Sequence, residues 1–115
     1  MELELRSKQI WLYDDVVDFR KSIDGLSMLV SDELKQHNDE MIFLFFNRQR
    51  DKVKVLAWHG NGFILLYKRL EKGRFHVSQS SGKVMLDNRQ LSWLLAGLDW
   101  ELMGNWKQLG YADFY

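Results

Sequence analysis

Residues 52–70, KVKVLAWHGNGFILLYKRL, have the pattern of two β-strands joined by a tight turn. Residues 52–58 alternate between small apolar side chains at 53, 55 and 57 and larger ones between them, which gives a strand two unlike faces. The turn from His59 to Gly62 is rich in residues that tolerate positive φ, and an apolar run follows it. This arrangement favours a tight antiparallel hairpin between residues 52–58 and 63–70.

Further strands are predicted on both sides of this hairpin. Residues 41–46, MIFLFF, form a continuous apolar run, typical of a central strand covered on both faces. Residues 71–74 form a second glycine-containing turn that leads into a strand at 75–77, and shorter strands are predicted at 9–13 and 84–86. We therefore expect a mostly antiparallel, meander-like sheet of four to six strands.

Two helices complete the predicted α+β fold. Apolar residues recur at helical spacing from Phe19 through Ile23 to Leu34, which predicts a helix over about residues 16–35 on one face of the sheet. Asp87, followed three residues later by Gln90, resembles a capping box for a helix over residues 88–96 against a face or edge. The acidic residues proposed to cap the first helix are Asp14, Asp15 and Asp18.

The composition is that of one globular domain. The chain has 115 residues, 46% of them hydrophobic, and its lack of cysteine excludes a disulfide framework and a thiolate metal site. No apolar run approaches the ~20 residues of a membrane-spanning helix, and the charged start MELELRSK is unlike a signal peptide. We expect a soluble cytoplasmic protein of one domain (1–115), with its core in about residues 10–100 and no membrane contact.

Residues 101–115 form an aromatic C-terminal tail. Together with Trp100 it contains Trp106, Tyr111, Phe114 and Tyr115. So much apolar surface predicts that the tail either packs back on the domain or contacts a partner.

The charge is distributed unevenly although the net charge is zero. Residues 48–74 contain eight Lys and Arg against two Asp and Glu, a balance of +6. A local positive field can attract phosphate, so this set is a candidate nucleic-acid-binding surface; the other interpretation is protection of an exposed strand edge against aggregation. The eight residues are Arg48, Arg50, Lys52, Lys54, Lys68, Arg69, Lys72 and Arg74.

The sequence contains no recognisable catalytic constellation. Strand-transfer chemistry needs carboxylates from separate elements to converge on metal ions, whereas most of the aspartates in the first third of the chain crowd around one predicted helix start. The three histidines lack metal-ligand spacing, and there is no nucleophile motif. We expect a protein that is not an enzyme and that has no metal or cofactor.

Five separated blocks resemble, in order and spacing, the TnpB accessory proteins of the insertion-sequence sixty-six family. The blocks are DFRKSIDGL (18–26), KVLAW (54–58), GNGF (60–63), YKRLEKGRF (67–75) and QLSWLLAGLDW (90–100). The resemblance implies a small protein encoded beside the transposase of a bacterial mobile element. Such a protein assists transposition while a separate, larger protein carries the strand-transfer chemistry.

From the resemblance and the basic segment together we predict a non-catalytic accessory protein of a bacterial insertion sequence. It is expected to bind DNA, the transposase of the same element, or both. One alternative is a pure protein-interaction module that acts through the aromatic tail without binding nucleic acid. The other is a cryptic enzyme, which would need a pocket in which carboxylates from different elements converge. The sequence leaves the oligomeric state open.

Overall fold

The computed structural model describes residues 9–37, 41–77 and 84–102. These residues form five strands and three helices. In chain order they are β1 (Gln9–Val16), α1 (Ile23–Leu29), α2 (Ser31–His37), β2 (Met41–Phe46), β3 (Lys52–His59), β4 (Gly62–Arg69), β5 (Val84–Leu86) and α3 (Asn88–Leu95). No helix in the described residues is long and apolar enough to cross a membrane.

The five strands form one mixed sheet in the order β4-β3-β2-β1-β5. The pairs β2–β3, β3–β4 and β1–β5 are antiparallel, whereas β1 runs parallel to β2. The parallel pair is possible because the connection between its strands is long and contains both α1 and α2. The predicted α+β class is confirmed, with the meander limited to β2, β3 and β4.

The hairpin predicted from residues 52–70 is present. Eight consecutive pairs join β3 to β4, from Lys52 opposite Arg69 to His59 opposite Gly62. Gly60 has a φ of 65°, which a residue with a side chain rarely adopts, so glycine suits this tight connection.

The prediction of a strand at residues 75–77 is wrong. These residues are not in the sheet; the backbone N–H of Phe75 donates to the carbonyl of Arg50, and the Phe75 side chain is buried against Phe46. The predicted strand at 84–86 instead pairs with β1 at the other edge of the sheet, with Leu86 opposite Ile10.

The first predicted helix begins later than expected and is divided. Residues 14–16 belong to β1, where Val16 pairs with Phe46, so helical structure begins at Ile23. Val30, with φ −119° and ψ 22°, separates α1 from α2. The apolar stripe was nevertheless predicted correctly, because Leu26 and Val30 are fully buried.

The second predicted helix, which is α3 in the structure, begins where expected. The Asp87 side chain accepts from the backbone N–H of Gln90 at 2.7 Å, and the Gln90 side chain accepts from the backbone N–H of Asp87 at 2.9 Å. This is a complete capping box. The helix ends at Leu95, with Ala96 as its C-cap rather than its last residue.

Each face of the sheet is covered by a separate apolar cluster. On one face, Val53 and Val55 of β3 pack with Trp93 and Leu94 of α3. On the other face, Leu56 packs with residues of β2 and of the α1–α2 segment. Successive residues of β3 therefore face different helices, which decides where each lysine of this strand lies.

Trp100, the residue directly before the predicted tail, packs on the domain. It is buried, and its indole Nε1–H donates to the His76 carbonyl at 2.7 Å. The aromatic residues of the tail itself lie outside the described residues.

Candidate nucleic-acid interface

Two loops are joined at one end of the sheet. The turn between β2 and β3 contacts the loop after β4 through two backbone hydrogen bonds: Leu70 N–H to the Asp51 carbonyl at 2.8 Å, and Phe75 N–H to the Arg50 carbonyl at 2.7 Å. We call this end, residues 47–52 and 69–75, the loop end. The sequence places these loops about twenty residues apart, and the β3–β4 hairpin brings them together.

Asn47 holds the first loop in shape. Its side chain is buried, its amide donates to the Asp51 carboxylate at 2.6 Å, and its carbonyl oxygen accepts from the backbone N–H of Lys52 at 3.0 Å. The hydrogen bond from Asn47 lowers the pKa of Asp51. Asn47 is not among the site residues predicted from the sequence, although asparagine directly after a strand is a common turn signal.

The loop end carries six basic and two acidic side chains, a local balance of +4. Arg69 donates to Glu71 at 3.0 Å, and this hydrogen bond raises the pKa of Arg69. The side chains of Arg48, Lys72 and Arg74 are exposed. The six basic residues are Arg48, Arg50, Lys52, Arg69, Lys72 and Arg74.

An open cleft of about 370 Å³ adjoins the loop end. Arg48 and Lys52 line it from the turn, and Asp18 lines it from the segment after β1. Arg20 binds the Asp18 carboxylate with two nitrogens, at 3.0 Å and 2.6 Å, which lowers the pKa of Asp18 to about 2. The remaining lining residues are Val16, Val17, Phe19, Asn47 and Gln49.

Lys54 is not part of this surface. Its side chain is 8% exposed, and its Nζ donates to the carbonyls of Phe19 at 2.8 Å and Lys21 at 2.7 Å. The ammonium also lies 4.9 Å from the centre of the Phe19 ring. Burial lowers the pKa of Lys54, and the hydrogen bonds give this lysine a structural role beneath the segment before α1. Its expected place on a solvent-facing surface is therefore corrected.

Lys68 lies on the opposite face of the sheet. It is paired with Val53, whose side chain faces α3, and its Nζ donates to the Leu95 carbonyl at the end of α3 at 2.6 Å. Lys52 and Arg69 are opposite one another on the other face. Of the eight predicted residues, the structure thus brings six together and places Lys54 and Lys68 elsewhere.

Comparison with known families agrees with the resemblance of the five sequence blocks. A family model described as "IS66 Orf2 like protein" matches residues 8–105. The chain belongs to this family. IS66 Orf2-like proteins are accessory proteins of insertion sequences, so membership sets this chain in the context of transposition.

Two curated relatives of the IS66 Orf2-like chain come from Sinorhizobium fredii (strain NBRC 101917 / NGR234). The uncharacterized protein y4hO is 34% identical over 94 residues, which cover 80% of this chain and 82% of the relative. The uncharacterized protein y4jC is 34% identical over 99 residues, which cover 83% of each. No solved structure matches the chain.

Proposed function

We propose that this IS66 Orf2-like protein is a non-catalytic accessory factor that assists DNA transposition by binding DNA through the loop end. One observation carries the proposal: two loops joined by backbone hydrogen bonds carry six basic side chains against two acidic ones. Four of the six are exposed, whereas Arg50 and Lys52 are half-buried and the Arg50 guanidinium lies 6.0 Å from the centre of the Phe46 ring. Such a concentration of charge attracts the phosphate backbone independently of base sequence. The proposed site of action is the bacterial cytoplasm, where the element's DNA lies.

The geometry of the loop end suits phosphate contacts. Arg48, Lys72 and Arg74 are exposed, so their charged groups can reach a backbone without unfolding any part of the sheet. Lys52 and Arg69 are cross-strand neighbours, so two positive charges lie side by side at this end of the hairpin. The Glu71 carboxylate accepts from Arg69 and offsets part of their repulsion, and a bound phosphate would offset more of it.

The experiment compares two triple variants with the same change in net charge. The loop-end variant loses three charges through Arg48→Gln, Lys72→Gln and Arg74→Gln. The control variant loses three charges elsewhere, on α2, the opposite sheet face and α3, through Lys35→Gln, Lys68→Gln and Arg89→Gln. Affinity for element-end duplex DNA is measured by fluorescence anisotropy at low salt. The loop-end variant is expected to bind at least about tenfold more weakly than the parent.

The control variant distinguishes DNA binding at the loop end from a general effect of net charge on DNA affinity. It is expected to retain affinity close to that of the parent, because its charges lie away from the loop end. Equal losses in both variants would mean that net charge alone governs binding, and the proposal for the loop end would fail.

The transposase of the same element is the second proposed partner. The aromatic tail, residues 101–115, contains Trp106, Tyr111, Phe114 and Tyr115, and so much apolar surface favours contact with a partner. Deleting residues 105–115 should abolish capture of the transposase in a pull-down while leaving DNA affinity unchanged. Unchanged capture together with an unchanged melting temperature would show that the tail is inert.

A further inference from the structure

Strand β4 forms one edge of the sheet over eight residues. Its pairing with β3 is continuous, without a register shift, from Gly62 to Arg69. In the described residues, no strand pairs with its other side. Long regular edges without proline or a bulge are the kind on which another strand can be added.

The outward backbone groups of β4 can be assigned from its pairing. In a two-residue hairpin the residues that close the turn, here His59 and Gly62, form a hydrogen-bonded pair, and such pairs alternate along the strands. The N–H of Leu70, also an even-numbered residue, donates to Asp51 across the ladder, which agrees with this phase. The odd-numbered residues Phe63, Leu65 and Tyr67 therefore direct their N–H and C=O groups away from β3.

The side chains along this edge are apolar except at one end. Residues 63–67 are Phe-Ile-Leu-Leu-Tyr, of which Leu66 is 43% and Tyr67 is 54% exposed. Lys68 and Arg69 follow at the C-terminal end, and uncharged Asn61 and Gly62 precede at the N-terminal end. An antiparallel copy of the same strand would therefore place its uncharged end beside this strand's basic end.

We propose that β4 pairs antiparallel with β4 of a second copy of this chain, with the two-fold axis at Leu65. In this register Phe63 lies opposite Tyr67 and Ile64 lies opposite Leu66, so aromatic and aliphatic residues meet across the axis. The outward N–H and C=O groups of the odd-numbered residues in one copy then face those of the odd-numbered residues in the other, as antiparallel hydrogen bonding requires. The result is a closed two-fold dimer with a continuous ten-stranded sheet.

Other arrangements of two copies are less favourable. Moving the axis to Leu66 would place Lys68 opposite Ile64 and Arg69 opposite Phe63. Parallel pairing would bring the two Lys68–Arg69 ends together, and like charges directly opposite one another destabilise strand pairs. With the axis at Leu65, Arg69 of the two copies are eight residue steps apart, or about 26 Å at about 3.3 Å per residue.

The first measurement is the mass of the full-length protein in solution across a range of concentrations. The parent is expected to have twice the 13.8 kDa of one chain, by light scattering or sedimentation equilibrium. Leu66→Lys places a charge opposite Ile64 twice per dimer and should raise the dissociation constant at least about tenfold. Met85→Lys is the matched control, because Met85 is an apolar residue, 53% exposed, on the opposite edge strand β5.

Each outcome of this comparison decides the proposal. A parent that stays at the mass of one chain at the highest concentration overturns it, as does a dimer weakened equally by Leu66→Lys and Met85→Lys. Selective loss in Leu66→Lys, with a circular dichroism spectrum like that of the parent, supports it.

A cross-linking experiment tests the register without relying on a disruptive variant. The chain has no cysteine, so Ile64→Cys and Leu66→Cys each introduce one thiol. In the proposed register these positions form a non-hydrogen-bonded pair with Cα atoms about 4.5 Å apart, within disulfide range. A mixture of the two variants should oxidise mainly to the mixed disulfide dimer. If the Leu66→Cys variant instead forms disulfides preferentially with itself, the axis at Leu65 is contradicted.

Discussion

The Lys54 ammonium fastens the segment before α1 to the sheet. It donates to the carbonyls of Phe19 and Lys21, which are more than thirty residues away in sequence. Period two correctly predicts that Lys52 and Lys54 share a face, because that depends only on strand geometry. Whether each side chain on this face is exposed to solvent depends on the distant segment that covers Lys54, and the local sequence does not predict that contact.

Replacing Lys54 should therefore reduce stability. Lys54→Met keeps most of the apolar volume but leaves two carbonyl groups without their donor, which is expected to cost about 1–3 kcal/mol of unfolding free energy. Lys52→Met, on the same face but half-buried beside the cleft, should change it by no more than about 0.5 kcal/mol. Urea unfolding measures both, and equal effects would contradict the structural role of Lys54.

Asp18 should titrate well below an ordinary aspartate. Hydrogen bonds from Arg20 lower its pKa from 3.8 to about 2 in the folded protein. Because the folded pKa is the lower one, the stabilisation is complete above pH 3.8 and is lost as the pH falls through about 2. The chemical shift of the Asp18 carboxyl carbon should have its midpoint near 2, and Arg20→Gln should move it back toward 3.8. A parent midpoint already near 3.8 would show that the Arg20 pair does not persist in solution.

At the scale of single elements, the two predicted helices differ in how much of their start the local sequence specifies. The start of α3 is encoded by residues in contact with one another, Asp87 and Gln90, and was predicted correctly. The start of α1 could not be read in this way, because residues 14–16 continue β1 in parallel with β2. The competing strand is favoured by long-range pairing, which overrides the local preference of aspartate for a helix cap.

Removing one cap tests this contrast. Asp87→Ala should lower the unfolding free energy by about 0.5–2 kcal/mol, because the N–H of Gln90 loses its acceptor. Ser22 is the N-cap of α1 but makes no side-chain cap hydrogen bond, so Ser22→Ala should change the unfolding free energy by no more than about 0.5 kcal/mol. Urea unfolding measures both variants. A larger loss of unfolding free energy in Ser22→Ala than in Asp87→Ala would contradict the assignment of the stabilising cap to Asp87.

At the scale of the whole molecule, the hairpin, the central strand and the apolar stripes were predictable because each follows from a short periodic pattern. The parallel β1–β2 pair and the placement of residues 75–77 outside the sheet were not, since both depend on contacts between distant segments. The candidate site was predicted as a set of basic residues. Its division into a loop end, a buried Lys54 and an opposite-face Lys68 required the sheet register.

The accessory role also predicts an absence of DNA chemistry. The purified protein should neither cut nor join element-end DNA with Mg²⁺ or Mn²⁺, because the proposed function is DNA binding without strand transfer. A gel-based turnover assay measures this. Sustained turnover that disappears in a folded Asp18→Ala or Asp24→Ala variant would overturn the non-catalytic assignment.

The salt dependence of DNA affinity tests the proposed function of the loop end most directly. If its side chains neutralise phosphates, the logarithm of the association constant should fall linearly with the logarithm of salt concentration, by about 0.9 per phosphate on duplex DNA. The Arg48→Gln, Lys72→Gln and Arg74→Gln variant should then have a slope shallower than that of the parent by up to about 2.7, while the Lys35→Gln, Lys68→Gln and Arg89→Gln control keeps the parent's slope. A loop-end variant with the affinity and slope of the parent would contradict the account.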